Sequence, residues 1–112
     1  MLVCSLAFAQ TEMSGLNIKH ATESAEYDKL KNTYRECVMR KGATFVSVSS
    51  VESAIKYAPL ACKRELLSIK QFFLSGAFKM NIISQLIESV EQGVEIDLVN
   101  LVYAEKLKIQ KN

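Results

Sequence analysis

This 112-residue chain contains three cysteines, which are the residues most suited by type and spacing to take part in chemical reactions. Redox-active cysteine pairs usually lie two residues apart at a helix N-terminus, which lowers the pKa of one thiol. Cys37 and Cys62 are 25 positions apart, and each falls on the apolar face of a predicted helix. This spacing favours a structural disulfide, and two thiols alone are too few ligands for a metal site.

Histidine and the acidic residues are the other candidates for catalysis. His20 lies in a polar stretch without helical or strand periodicity, so the sequence predicts no rigid partners for acid–base chemistry. A group of carboxylates could hydrolyse a substrate if a cleft held two of them at a fixed separation. On the outer side of a helix such carboxylates are more commonly just solvated. The carboxylates cluster at Glu88, Glu91, Glu95 and Asp97. We therefore predict a protein that is not an enzyme and needs no cofactor or metal, with an enzyme that uses Glu88, Glu91 or Asp97 as the alternative.

The stretch from Ser49 to Leu74 is the element that must position much of the rest. Ser49 lies three residues before Glu52, which predicts a capping box at the start of a helix. Pro59 falls inside the helical pattern and predicts a kink or two abutting helices. One face of this pattern is apolar through six turns, at Val51, Ala54, Ile55, Ala58, Cys62, Leu66, Ile69 and Phe73.

A second apolar stripe runs along the same stretch. Leu60, Leu67 and Leu74 recur every seven residues, which places them on one side of a helix. An element with apolar residues on more than one side needs neighbours on two flanks. We therefore expect this stretch to be the middle helix of a small bundle.

Helical periodicity also appears before and after this stretch. A first helix is predicted from an N-cap at Thr22 to a stop at Gly42, with Cys37 on its buried face. Residues 43–50 are predicted to form a loop, because a single short extended segment would have no partner strand. A third helix is predicted from Phe78 to Gly93, and residues 97–107 form either a fourth helix with an Asp97 N-cap or a continuation of the third.

These elements predict an all-α fold, a small three- to four-helix bundle stapled by one disulfide. Residues 22–112 form a single helical domain, and residues 10–21 form a flexible leader. Residues 1–9 are apolar and end Ala7-Phe8-Ala9 before Gln10, the small-x-small pattern that precedes signal peptidase cleavage. We interpret them as the remnant of a secretory signal peptide, which predicts a periplasmic or secreted protein and agrees with the paired cysteines.

Charge and apolar content narrow the classes of partner. The formal net charge of +2 comes from scattered basic residues, which does not favour nucleic acid. No apolar run approaches the roughly 20 residues that a transmembrane helix needs, although binding to a membrane surface stays an alternative. The most apolar region supplies the candidate partner surface, at Phe72, Phe78, Met80 and Ile83.

With these residues placed, the chain resembles small exported helical proteins of unknown function from Gram-negative bacteria. The resemblance covers about residues 25–108. It rests on the Tyr34-to-Cys37 segment, the alanine-rich stretch from Ala54 to Ala61, the segment Ala61-Cys62-Lys63-Arg64-Glu65-Leu66 and an amphipathic C-terminal helix. It implies a periplasmic two-cysteine helical domain and carries no activity.

The function predicted from the sequence is therefore binding. We expect an exported, non-enzymatic scaffold that contacts a protein partner, whose identity and whose oligomeric state the sequence does not specify. One alternative is an inhibitor or immunity protein for a secreted hydrolase or toxin. Another is a structural protein associated with the envelope or membrane.

Overall fold

The computed structural model describes residues 18–111, which form five helices and no strand. Helix α1 covers residues 18–23 and takes in the end of the predicted leader, whereas residues 1–17, including the predicted signal remnant, lie outside the described part. The other helices are α2 (Ala25–Val48), α3 (Val51–Ala61), α4 (Lys63–Ser75) and α5 (Met80–Lys111). The predicted all-α bundle with one disulfide is confirmed.

Helix α2 contacts α3, α4 and α5, and both α3 and α4 also contact α5. Helices α3 and α4 also contact each other, and among these four helices α2 makes the most extensive contacts. It begins at Ser24, whose Oγ accepts a hydrogen bond from the Tyr27 amide at 3.1 Å. The core between the helices contains Tyr34, Phe73, Ile69, Ile83, Leu98, Val38, Val102 and Cys62, all almost fully buried.

The predicted stop at Gly42 and the predicted loop at residues 43–50 are wrong, because α2 continues to Val48. Gly42 is buried against α5, where an added Cβ would clash with Leu98 Cδ1. Its missing side chain allows α2 and α5 to approach closely, so this glycine serves helix packing instead of helix termination. Val46 is buried, as expected of a residue that closes the end of the core.

The predicted capping box of Ser49 and Glu52 is wrong, because the N-cap is the next residue, Ser50, and the residue three positions after it is a serine. Ser49 is the C-cap of α2, and its amide donates to the Phe45 carbonyl at 2.8 Å. Ser50 is the N-cap of α3, and its Oγ accepts from the Ser53 amide at 3.1 Å. Two helices thus meet with only two residues between them, and each residue satisfies one helix end.

The prediction of two abutting helices around Pro59 is confirmed, with the break at Cys62. The Cys62 amide donates to the Pro59 carbonyl, and the Cys62 carbonyl accepts from the Leu66 amide. Pro59 lies in the last turn of α3, where it has no amide hydrogen to donate to the Ile55 carbonyl. Cys62 therefore belongs to the junction of α3 and α4, where it is fully buried.

The break at Ser75-Gly76 is confirmed, whereas Gly93 does not end a helix. In the turn that joins α4 to α5, Ala77 adopts a left-handed backbone conformation with φ of 58°. Helix α5 then runs without interruption through Gly93, where an added Cβ would contact nothing within 4 Å. The predicted third helix therefore continues through residues 97–107 as one long helix.

Candidate interaction surface

The disulfide between Cys37 and Cys62 joins α2 to the junction of α3 and α4, with the two Cα atoms 6.0 Å apart. Both cysteines are buried, so the bond lies inside the bundle. Within residues 18–111 the one group of three candidate metal ligands consists of these two sulfurs and the Glu65 carboxylate, all within 4.8 Å. Because thiolates are the metal ligands, this group could bind an ion only after the disulfide had been reduced.

The predicted carboxylates lie along α5 in separate environments. Glu88 accepts a hydrogen bond from the Gln92 amide group at 3.3 Å, and Asp97 accepts from Arg35 Nε at 2.9 Å. Asp97 thus ties α5 to α2 and is not a helix cap. Burial, followed by the charges of Glu91 and Glu95, raises the pKa of the Tyr34 phenol to about 12. The negative charges of two acids of this group therefore oppose the ionisation of a buried tyrosine.

A groove of about 380 Å³ lies between α2 and α5. Its polar rim includes Lys31 and the Arg35–Asp97 ion pair, and Gly93 leaves space on the α5 side. Lys31 Nζ also lies 5.2 Å from the centroid of the Tyr27 ring, which fixes the lysine near one end of the groove.

The predicted partner surface is divided between the core and the solvent. Phe72 and Phe78 are half-buried, because their rings pack on Phe73 with centroids 5.4 Å and 6.1 Å apart. Tyr27 of α2 completes this aromatic cluster, 5.4 Å from Phe73. Ile83 is fully buried, so its assignment to a surface is wrong. The side chain that remains well exposed is Met80, at 53%.

The predicted burial of the second leucine stripe is also wrong. Leu60, Leu67 and Leu74 are each 45–50% exposed, because α2 and α5 both pack against the opposite side of α3 and α4. Tyr57, one turn before Leu60, is exposed to the same degree. We name this set of four residues the outer α3–α4 face. It is an apolar surface that the described part of the chain leaves about half-exposed.

Basic residues surround the outer α3–α4 face. Lys56, Lys63 and Arg64 are exposed and Lys70 is half-buried. When each helix is projected separately, Lys56 lies on the side of Leu60 in α3, and the three basic residues of α4 lie on the side of Leu67 and Leu74. Glu65 lies toward the core side with Ile69. The Lys56 ammonium lies 5.3 Å from the centroid of the Tyr57 ring. The face therefore combines exposed leucines with positive charge.

The sequence contained the signal for this face but not its exposure. The seven-residue spacing of the three leucines was apparent, yet whether another helix covers them depends on which side of α3–α4 the rest of the chain packs. A stronger indication was the basic residues interleaved with the leucines, because a buried stripe rarely carries four cations.

The comparison of the chain with protein-family models, curated proteins and solved structures finds no match. The described helices include none that is both long enough and apolar enough to cross a lipid bilayer.

Proposed function

We propose that this protein is a non-enzymatic, exported binding domain that docks an acidic amphipathic helix of a partner protein on its outer α3–α4 face. The observation that carries the proposal is the stripe of half-exposed leucines at positions 60, 67 and 74, set among four basic side chains. The predicted surface around Phe72 and Phe78 is replaced by this face, because those rings belong to the aromatic cluster.

The shape of the face favours a helix as its ligand. Leu67 and Leu74 lie seven residues apart along one line of α4, and an amphipathic partner helix can lay its own apolar stripe along that line. The charge of the face selects the ligand further. Lys63 and Lys70 recur at the same spacing as Leu67 and Leu74, so acidic residues beside the partner's apolar stripe would meet a cation on every second turn.

The same charges argue against pairing of this face with its own copy. Two copies would bring lysines and arginine against lysines and arginine, whichever way the helices ran.

Export is supported by the Cys37–Cys62 disulfide, since such bonds form and persist in oxidising compartments.

The test uses two synthetic helical peptides with leucine at every seventh position, one flanked by glutamate and the other by lysine. We expect the acidic peptide to bind the full chain and to shift the NMR resonances of Leu60, Leu67 and Leu74. Leu67→Ser should weaken binding by roughly 10-fold, because it removes the central apolar contact. The fold should be unchanged, because Leu67 is half-exposed.

Ile109→Ser on α5 is the matched control, since Ile109 is exposed to the same degree as Leu67 but lies on another helix. Equal binding of the two peptides, or equal loss in both variants, would contradict the proposal. Sedimentation with anionic phospholipid vesicles forms a separate arm. Tight binding to vesicles in the absence of binding to the acidic peptide would favour the membrane-associated alternative instead.

A further inference from the structure

A second uncovered apolar stripe lies on α5. Ile96, Tyr103 and Leu107 are each more than half-exposed, and the half-buried Val99 lies between them. These four residues, which we name the outer α5 face, occupy the side of the helix opposite the buried stripe Val94, Leu98 and Val102. Their spacing of three, four and four residues keeps them on one side of the helix, where they can pack against a second helix.

A surface depression of about 430 Å³ lies at the N-terminal half of this face, lined by Gln92, Glu95, Ile96, Val99 and Asn100. Four of these residues stand at positions i, i+3, i+4 and i+7 of one helix. In coiled coils this set of four forms the hole that receives one apolar side chain from the facing helix. The depression therefore has the form of a receptor site for a single leucine-sized knob.

The chain itself carries such a leucine, Leu107, at the other end of the outer α5 face. If two α5 helices pack antiparallel, with the two-fold axis near residues 101–102, Leu107 of a second copy lies opposite Ile96 and faces the depression. The operation also brings Tyr103 of the second copy opposite Asn100. By symmetry each copy inserts its Leu107 into the surface depression of the other copy, which makes the contact self-complementary.

The charges beside the outer α5 face fit the same arrangement. Glu95 and Lys106 are both exposed and lie on the same flank of the helix, eleven residues apart. In an antiparallel pair this flank meets itself, so Glu95 of one copy approaches Lys106 of the other, twice in the dimer. In a parallel pair the two-fold axis would instead place this flank of the two copies on opposite sides of the interface, so Glu95 and Lys106 would not meet. The attraction in the antiparallel pair is the opposite of the outer α3–α4 face, where every arrangement of two copies repels.

We propose that the chain forms an antiparallel homodimer through the outer α5 face, with Leu107 of each copy seated between Gln92, Glu95, Ile96 and Val99 of the other. The contact extends over about four turns of helix, which places it among small interfaces, so we expect a dissociation constant of roughly micromolar order. The outer α3–α4 face stays free for its own partner.

The test is the oligomeric state of the oxidised full chain, measured by sedimentation velocity from low micromolar to millimolar concentration. We expect a monomer–dimer equilibrium, which Leu107→Glu should weaken by about 100-fold because two buried leucines become charged. Val48→Glu at the end of α2 is the control and should leave the equilibrium unchanged, because Val48 is exposed and lies outside both apolar faces. Circular dichroism checks that both variants remain folded, as expected for exposed positions.

Charge reversal tests the direction of pairing. Glu95→Lys should weaken the dimer roughly 5- to 10-fold, because it creates two Lys–Lys contacts, and adding Lys106→Glu should restore it. A chain that stays monomeric at millimolar concentration, or a dimer that survives Leu107→Glu, would overturn the proposal. A dimer that the double reversal fails to restore would overturn its antiparallel register.

Discussion

Tyr34 is a buried phenol whose surroundings resist its ionisation. Its pKa is raised to about 12 by burial and by the charges of Glu91 and Glu95, compared with 10.0 for an unperturbed tyrosine. The folded state therefore favours the neutral phenol, and the unfolded chain loses the proton first. This contribution to stability is complete below pH 10 and disappears as the pH rises through about 12.

We predict that the free energy of unfolding falls between pH 10 and about 12 more steeply in the wild type than in Tyr34→Phe. Phenylalanine keeps the ring in the core but has no proton to lose. Urea unfolding of the two proteins, at several pH values in this range, measures the difference. Parallel pH profiles would show that Tyr34 does not titrate in the way its environment requires.

Individual residues were predictable from the sequence where the helical pattern alone decides their position. Cys37 and Cys62 fall on apolar faces, and they meet as the pattern indicates. Ile83 and Met80 lie in the same apolar run, yet one is fully buried and the other exposed. Their separation depends on where α5 begins after the turn at Ala77, which spacing within the run does not reveal.

At the scale of the helices, two glycines with the same apparent meaning have different roles. Gly42 allows the close approach of α2 and α5, whereas Gly93 faces open space. We predict that Gly42→Ala lowers the free energy of unfolding by about 1–2 kcal/mol, because the clash with the fully buried Leu98 outweighs the higher helix propensity of alanine.

Gly93→Ala is the matched substitution, and here only the difference in helix propensity between glycine and alanine affects stability. We expect it to raise the free energy of unfolding by up to about 1 kcal/mol, measured by denaturant titration beside Gly42→Ala. The same sign of change in both variants would mean that the close approach at Gly42 is relaxed at little cost.

These glycines explain why helix existence was easier to predict than helix ends. The sequence rule treats a glycine after an apolar pattern as a stop, because glycine commonly follows the last turn. In this chain the true ends are marked by local hydrogen bonds at Ser24, Ser49 and Ser50. Serines are frequent in this region of the sequence, so which of them caps a helix is decided by the packing of α2 against α3.

The whole molecule depends on one covalent link between its helices. Cys37→Ala/Cys62→Ala should lower the free energy of unfolding by about 3.5 kcal/mol, the chain-entropy value for the loop that the bond closes. Urea titration of this variant beside oxidised and reduced wild type measures the effect. Reduced wild type should approach the variant, and a reduced protein as stable as the oxidised one would contradict the prediction.

The position of this link also determines how the molecule would respond to force. If a chain were pulled from its two ends, tension would pass directly from Cys37 to Cys62, and the segment between them would carry no load. Breaking the sulfur bridge would release 25 residue spacings of hidden length, about 80 Å of additional extension. A thiol reductant would then change the reach of the stretched polypeptide as well as its stability.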